Sequence, residues 1–189
     1  MELYWYCIDD MDETAYRQAF DLLDGVRQKH VSDIAGENDR KRTVAAEWLA
    51  RTALAKKLGC APGEVPIKHD EEDKPYLEGG GWCVSLSHSG AYAVCAVGKK
   101  PLGVDVEVLR TAEEKFMRRV CTEREFDYIR PYEVGGFQRF WECWTAKEAL
   151  FKLTGKGPLL KLSRYALPEN VSLDFTVKHG CAVTVAMEM

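Results

Sequence analysis

Apolar and polar positions follow two rhythms along this chain, and the changes of rhythm predict its elements. Leu3 to Ile8 is rich in aromatics and is expected to form a first strand. From Met11 to about Ile34 the apolar residues Ala15, Ala19, Leu22, Leu23 and Val26 fall at helical spacing, with an interruption expected at Gly25. Val44 to Leu58 is a clearer helix, with Val44, Ala45, Trp48, Leu49, Ala53, Leu54 and Leu58 on its apolar side and Gly59 as a stop. A turn-rich passage through Pro62, Gly63, Pro66 and Gly79-Gly80-Gly81 then leads to two expected strands, Cys83 to Ser87 and Tyr92 to Val97. The link between them is His88-Ser89-Gly90.

The second half repeats this order. Leu102 to Val108 reads as a strand, helical segments follow from Ala112 and from Phe140 to Leu153, and Ser172 to Val177 and Cys181 to Met187 close the series as strands. His88 to Val97 and His179 to Met187 both place a His-containing turn before a strand of small and β-branched residues. The predicted class is α+β: two similar lobes, residues 1–100 and 101–189, joined near Lys99-Lys100-Pro101. Each lobe is expected to carry a small antiparallel sheet packed against helices, in a pseudo-twofold arrangement.

Composition narrows the functions open to such a fold. A chain of 189 residues with 46% hydrophobic side chains can bury a sizeable core, and a formal charge of -4 advertises no nucleic-acid surface. Seven cysteines without a CxxC pair read as free thiols in a reducing cytoplasm. No apolar run approaches membrane-spanning length, so a membrane partner is not expected either.

Candidate chemistry concentrates in two stretches. In Gly103-Val104-Asp105-Val106-Glu107 the period of two puts both carboxylates on one strand face, where they repel unless a proton or a cation intervenes. A metal site and a salt-bridge cluster are both open from this segment alone. In Trp144-Thr145-Ala146-Lys147-Glu148-Ala149-Leu150-Phe151-Lys152 a third carboxylate rides on a helix, with Lys152 one turn beyond it. Trp141, Trp144, Leu150 and Phe151 make this helix apolar for one so charged, so Glu148 and Lys152 are expected to face a cleft. Asp105, Glu107 and Glu148 together form a hard-oxygen set suited to Mg2+, and the flanking ammonium groups suit phosphate. Lys147 either contacts phosphate or is solvated. The acidic centre is expected at or near the junction of the lobes.

These two stretches, with Phe116, the run on to Gly155-Lys156-Gly157, Val84-Ser85-Leu86-Ser87-His88-Ser89 and Lys74-Pro75-Tyr76, resemble the signature of the 4'-phosphopantetheinyl transferases from about Asp39 to Leu167. Length and internal repetition resemble the family's larger, single-chain, pseudo-dimeric branch, which implies a working monomer. The resemblance implies transfer of the phosphopantetheine arm of coenzyme A to a serine of an apo acyl-, peptidyl- or aryl-carrier protein, with release of adenosine 3',5'-bisphosphate. It further implies Asp105, Glu107 and Glu148 as ligands of Mg2+, with Glu148 as general base and Lys152 neutralising charge that develops on phosphate. For coenzyme A it points to Arg40, Arg42, Lys74, Ser87, His88, Lys147 and Lys152, with His88 and Arg42 the leading phosphate contacts.

Other positions are open. Glu123 is either part of a helix start capped by Thr122 and Glu125 or, like Glu125, a group that could place the serine. Phe126, Tyr128, Ile129, Tyr132, Phe137 and Phe140, around Gly135-Gly136, form a carrier-facing stripe if exposed and core if buried. Gly155-Lys156-Gly157-Pro158 and Leu160 depart from the family's usual run. The alternatives to transfer are a Mg2+-dependent phosphodiesterase or pyrophosphatase, using water as nucleophile, and a noncatalytic module that binds coenzyme A or a carrier.

Overall fold

Where one interrupted helix is expected from Met11 to Ile34, two separate helices form, because an aspartate closes each start. After strand β1 (Glu2–Cys7), helix α1 (Glu13–Asp21) begins on Asp12, whose carboxylate accepts from the Ala15 amide, and α2 (Gly25–Asp33) begins on Asp24, which accepts from Arg27. The computed structural model describes residues 1–130, 136–155 and 169–189, and the chain divides into two compact units, Met1–Lys100 and Pro101–Met189.

The first unit continues with the long helix α3 (Glu37–Leu58), which starts ahead of its apolar stripe. Its polar opening turns are held by side-chain pairs, Lys41 with Glu37 and Arg42 with Asp39, rather than by burial. Gly59 ends the helix in the left-handed conformation, at a φ of 72°. Two short strands that periodicity does not reveal, β2 (Ile67–His69) and β3 (Pro75–Leu77), pair as a hairpin. Strands β4 (Cys83–Ser89) and β5 (Tyr92–Gly98) run longer than expected, so His88 and Ser89 belong to β4 and only Gly90 and Ala91 make the turn. The sheet order is β1-β5-β4, all antiparallel. Helix α3 packs on this sheet through Val44, Ala45, Ala50 and Leu54, each fully buried.

The second unit is built on the same scheme. Strand β6 (Leu102–Val108) is followed by α4 (Glu114–Val120), α5 (Glu123–Ile129) and the long α6 (Gly136–Thr154), then by β7 (Val171–Lys178) and β8 (Cys181–Glu188). Its sheet order is β6-β8-β7, again antiparallel, with the first strand beside the last. Helix α6 lies on this sheet, while Phe140 and Trp141 at its start form a cluster with Met117, Phe126 and Ile129. Phe116 stacks edge-on to Phe140 and tilts against Trp144.

Burial settles part of the aromatic stripe. Phe126, Ile129 and Phe140 are core, Phe137 is half-buried, and Tyr128 is exposed. Tyr132 and Gly135 lie outside the described residues, as do Lys156, Gly157, Pro158 and Leu160. Among the described residues no helix is long and apolar enough to cross a membrane.

Candidate active site

A missing side chain brings the charged groups of the second unit together. A Cβ on Gly103 would stand 2.1 Å from the Ala149 carbonyl oxygen and 2.5 Å from the Leu153 amide nitrogen, so only glycine lets α6 come this close to β6. Gly103, Asp105 and Glu107 share the strand face that α6 covers. Asp105 is buried there, and Lys152 Nζ donates to Asp105 Oδ1 at 2.8 Å. Glu107 keeps partial exposure, with Arg110 3.7 Å from its carboxylate.

Glu148 lies one turn before Lys152 and is 9% exposed. Its Oε1 is buried with no hydrogen-bond partner among the described residues. Burial, then the charge of Asp105, pushes the Glu148 carboxyl up to about 7. Lys152 opposes this shift and Glu107 adds to it. A carboxyl raised in this way by burial and a like charge, with one oxygen lacking a donor, is the kind of group found at functional sites.

Two hydroxyls absent from the sequence expectation help to fix this geometry. Thr145 Oγ1 and Thr184 Oγ1 lie 2.7 Å apart and both residues are fully buried, joining α6 to β8 beside the strand position opposite Asp105. Their signal in the sequence is slight: Thr145 sits one turn ahead of Glu148, and Thr184 is one polar residue in an apolar strand.

Lys147 points elsewhere. Its Nζ donates to the Val120 carbonyl at 2.6 Å and to Glu125 Oε2 at 2.7 Å, which engages it between α6 and the start of α5. Glu125 in turn accepts from the Thr122 amide, and the Thr122 hydroxyl accepts from the Glu125 amide, a capping box at the head of α5. Glu123 is simply the first residue of that helix.

Among the described residues no group of three or more His, Cys, Asp or Glu side chains is placed to hold a metal ion. The donors still fit an open Mg2+ site, which keeps waters and takes substrate oxygens as ligands. Asp105 and Glu148 are hard oxygen groups close enough for one to shift the other's pKa, and Glu148 Oε1 has no partner of its own.

The first unit carries the remaining candidates. Arg42 Nη1 donates to the Gly90 carbonyl at 2.6 Å and its Nη2 pairs with Asp39, so the guanidinium sits at the β4–β5 turn close to His88 in sequence. Strand alternation separates the expected donor set: Ser87 and Ser89 are buried on one face of β4 and His88 is exposed on the other. Arg40 turns back to donate to the carbonyls of Ile34 and Ala35 at 2.7 and 3.1 Å. Lys74 is half-buried at the end of the loop before β3.

Comparison with known proteins covers both units. Residues 101–185 match the family model described as 4'-phosphopantetheinyl transferase superfamily, and residues 10–100 match that described as 4'-phosphopantetheinyl transferase, N-terminal. The chain belongs to the 4'-phosphopantetheinyl transferase family. Among similar members, a 4'-phosphopantetheinyl transferase of Bacillus subtilis is 31% identical over 133 residues, covering 69% of this chain and 59% of its own. The 4'-phosphopantetheinyl transferase HetI of a Nostoc species is 34% identical over 126 residues, covering 62% and 53%. The 4'-phosphopantetheinyl transferase gsp of Aneurinibacillus migulanus is 26% identical over 133 residues, covering 70% and 56%. The chain therefore spans a little over half the length of these family members.

Proposed function

We propose that this chain transfers the 4'-phosphopantetheine arm of coenzyme A to a serine of an apo acyl-, peptidyl- or aryl-carrier protein, releasing adenosine 3',5'-bisphosphate. The observation that carries the proposal is the frustrated carboxyl of Glu148, buried against Asp105 with Lys152 alongside, in a chain of this family. Asp105, Glu107 and Glu148 would hold Mg2+, which would supply electrophilic polarisation of the pyrophosphate.

The chain's own groups do the rest. Glu148 takes the proton from the serine hydroxyl as its oxygen attacks the phosphorus that bears the pantetheine arm. The bond from that phosphorus to the bridging oxygen breaks, and the bisphosphate leaves with the electron pair. Lys152, already at the carboxylates, neutralises the phosphate oxygens on which charge grows. The close approach at Gly103 and the Thr145 to Thr184 hydrogen bond hold Glu148 and Lys152 in register with Asp105. Lys147, clamped to Glu125, contributes by fixing α5 against α6. Arg42 and His88, with Lys74, Ser87 and Arg40, are the first unit's candidates for the phosphates of coenzyme A. The reading places a working monomer in the cytoplasm, with coenzyme A as cosubstrate.

Incubation with coenzyme A, Mg2+ and a panel of apo-carriers, followed by intact mass spectrometry, tests this. A phosphopantetheine-sized gain on one serine, abolished by chelation and restored by Mg2+, is the expected result. Cleavage of coenzyme A without carrier modification would replace transfer by hydrolysis, and binding without either product would leave a noncatalytic module.

A further inference from the structure

In the loop between β2 and β3, Asp73 is one of two non-glycine residues among those described with a positive φ, at 62°. That conformation favours glycine, and the loop is otherwise tightly wound: the Asp70 carboxylate accepts from the amides of Glu72 and Lys74, and the Asp70 amide donates to the Lys74 carbonyl. An aspartate in a glycine position calls for a reason in its side chain. Its carboxylate pairs with Arg27 Nη1, and His30 lies 3.9 Å from its other oxygen.

Arg27 is no ordinary surface partner. It is 8% exposed and its Nε donates at 2.8 Å to Glu47, which has no exposure at all, so the guanidinium is fixed before it meets Asp73. Beyond the loop the space is open: Arg27, His30, Asp70 and Asp73 border a cavity of about 490 Å3, and packing does not restrain the loop on that side. Lys74 follows Asp73 directly and is succeeded by Pro75, so the direction in which Lys74 leaves the loop depends on the left-handed turn at Asp73.

We infer that Arg27 and Asp73 form a latch, anchored on Glu47, that aims Lys74 at the phosphates of coenzyme A. Both are positioning residues, and the inference rests on the function proposed above. Glycine at position 73 would be at home in the backbone conformation and would remove only the carboxylate, so D73G separates the latch from the turn.

The test is calorimetric titration of coenzyme A, with MgCl2 present, into the full chain and its D73G, D73N, K74A and D73G/K74A variants. D73G is expected to bind roughly fivefold more weakly than wild type and D73N to fall between, while in the K74A background D73G adds no further loss. Melting temperatures should change little between D73G and wild type. D73G binding within about twofold of wild type, or a D73G loss that persists undiminished without Lys74, overturns the latch. Absence of coenzyme A binding by the wild type would instead overturn the proposed function, and the latch with it.

Discussion

Each unit buries one glutamate on its longest helix, and the two meet opposite surroundings. Glu47 on α3 has Arg27 Nε at 2.8 Å and His69 Nε2 at 2.8 Å from the same oxygen, the latter a close contact off the line of a ring N–H hydrogen bond. Burial pushes its carboxyl up, but His69, Arg27 and Arg51 outweigh that and hold it below the usual range. Glu148 on α6 is also desolvated, yet the charge that weighs most on it is another carboxylate, Asp105, and it rises to about 7. A buried glutamate is therefore held below its usual range in one unit and raised to about 7 in the other. The sign of the neighbours decides which.

Several substitutions would break or sharpen that contrast. The largest effect is expected from G103V: a branched side chain where even one Cβ collides with the α6 backbone must push α6 off β6. Transfer should fall by roughly 100-fold or more, with a lower melting temperature as the companion readout. Next comes the glutamate pair. E47Q leaves Arg27 facing a neutral partner and should destabilise by about 3 kcal/mol, several degrees in melting temperature. E148Q removes repulsion and should raise the melting temperature in EDTA at pH 8 while lowering transfer by about 100-fold. Equal destabilisation by both would erase the distinction.

The pH dependence of the metal-free protein should carry the same signature. Glu148 has a folded value raised above its ordinary 4.5, so its favourable contribution is present below that value and is lost as pH rises through about 7. Glu47 has a lowered folded value, so its contribution is present above 4.5 and is lost as pH falls through that lower folded value. Urea denaturation in EDTA should therefore show E148Q gaining on wild type between pH 5 and pH 8, and E47Q losing less against wild type in acid. The smallest effect concerns the hydroxyl pair: T145V strands the Thr184 hydroxyl and should cost about 1–2 kcal/mol, whereas T145V/T184V should recover most of it. Chemical denaturation of the four variants measures the cycle.

Much of the fold was legible because periodicity reports which faces are buried. Strand β6, the apolar stripe of α3 and the closing hairpin of β7 and β8 all follow from it. The short hairpin of β2 and β3 was not legible, since three-residue strands contain too few alternations to stand out from turns. The start of α3 was missed because side-chain ion pairs, invisible to a hydrophobic pattern, hold it. His88 was placed in a turn because Ser-His-Ser-Gly is turn-like in composition, whereas pairing across β4 and β5 keeps the first three in the strand.

By itself the sequence determined which side chains exist for the chemistry and that Asp105 and Glu107 share a strand face, since a period of two requires no knowledge of what lies opposite. It also carried the family likeness, through motif order and spacing. Only the tertiary structure decided that Glu148 lies buried against Asp105, that Lys147 is engaged by Glu125 while Lys152 meets Asp105, and that Glu47 is neutralised where Glu148 is not. The reason is physical: burial and the charge of neighbours are properties of contacts between residues distant in the chain, and no local pattern encodes them.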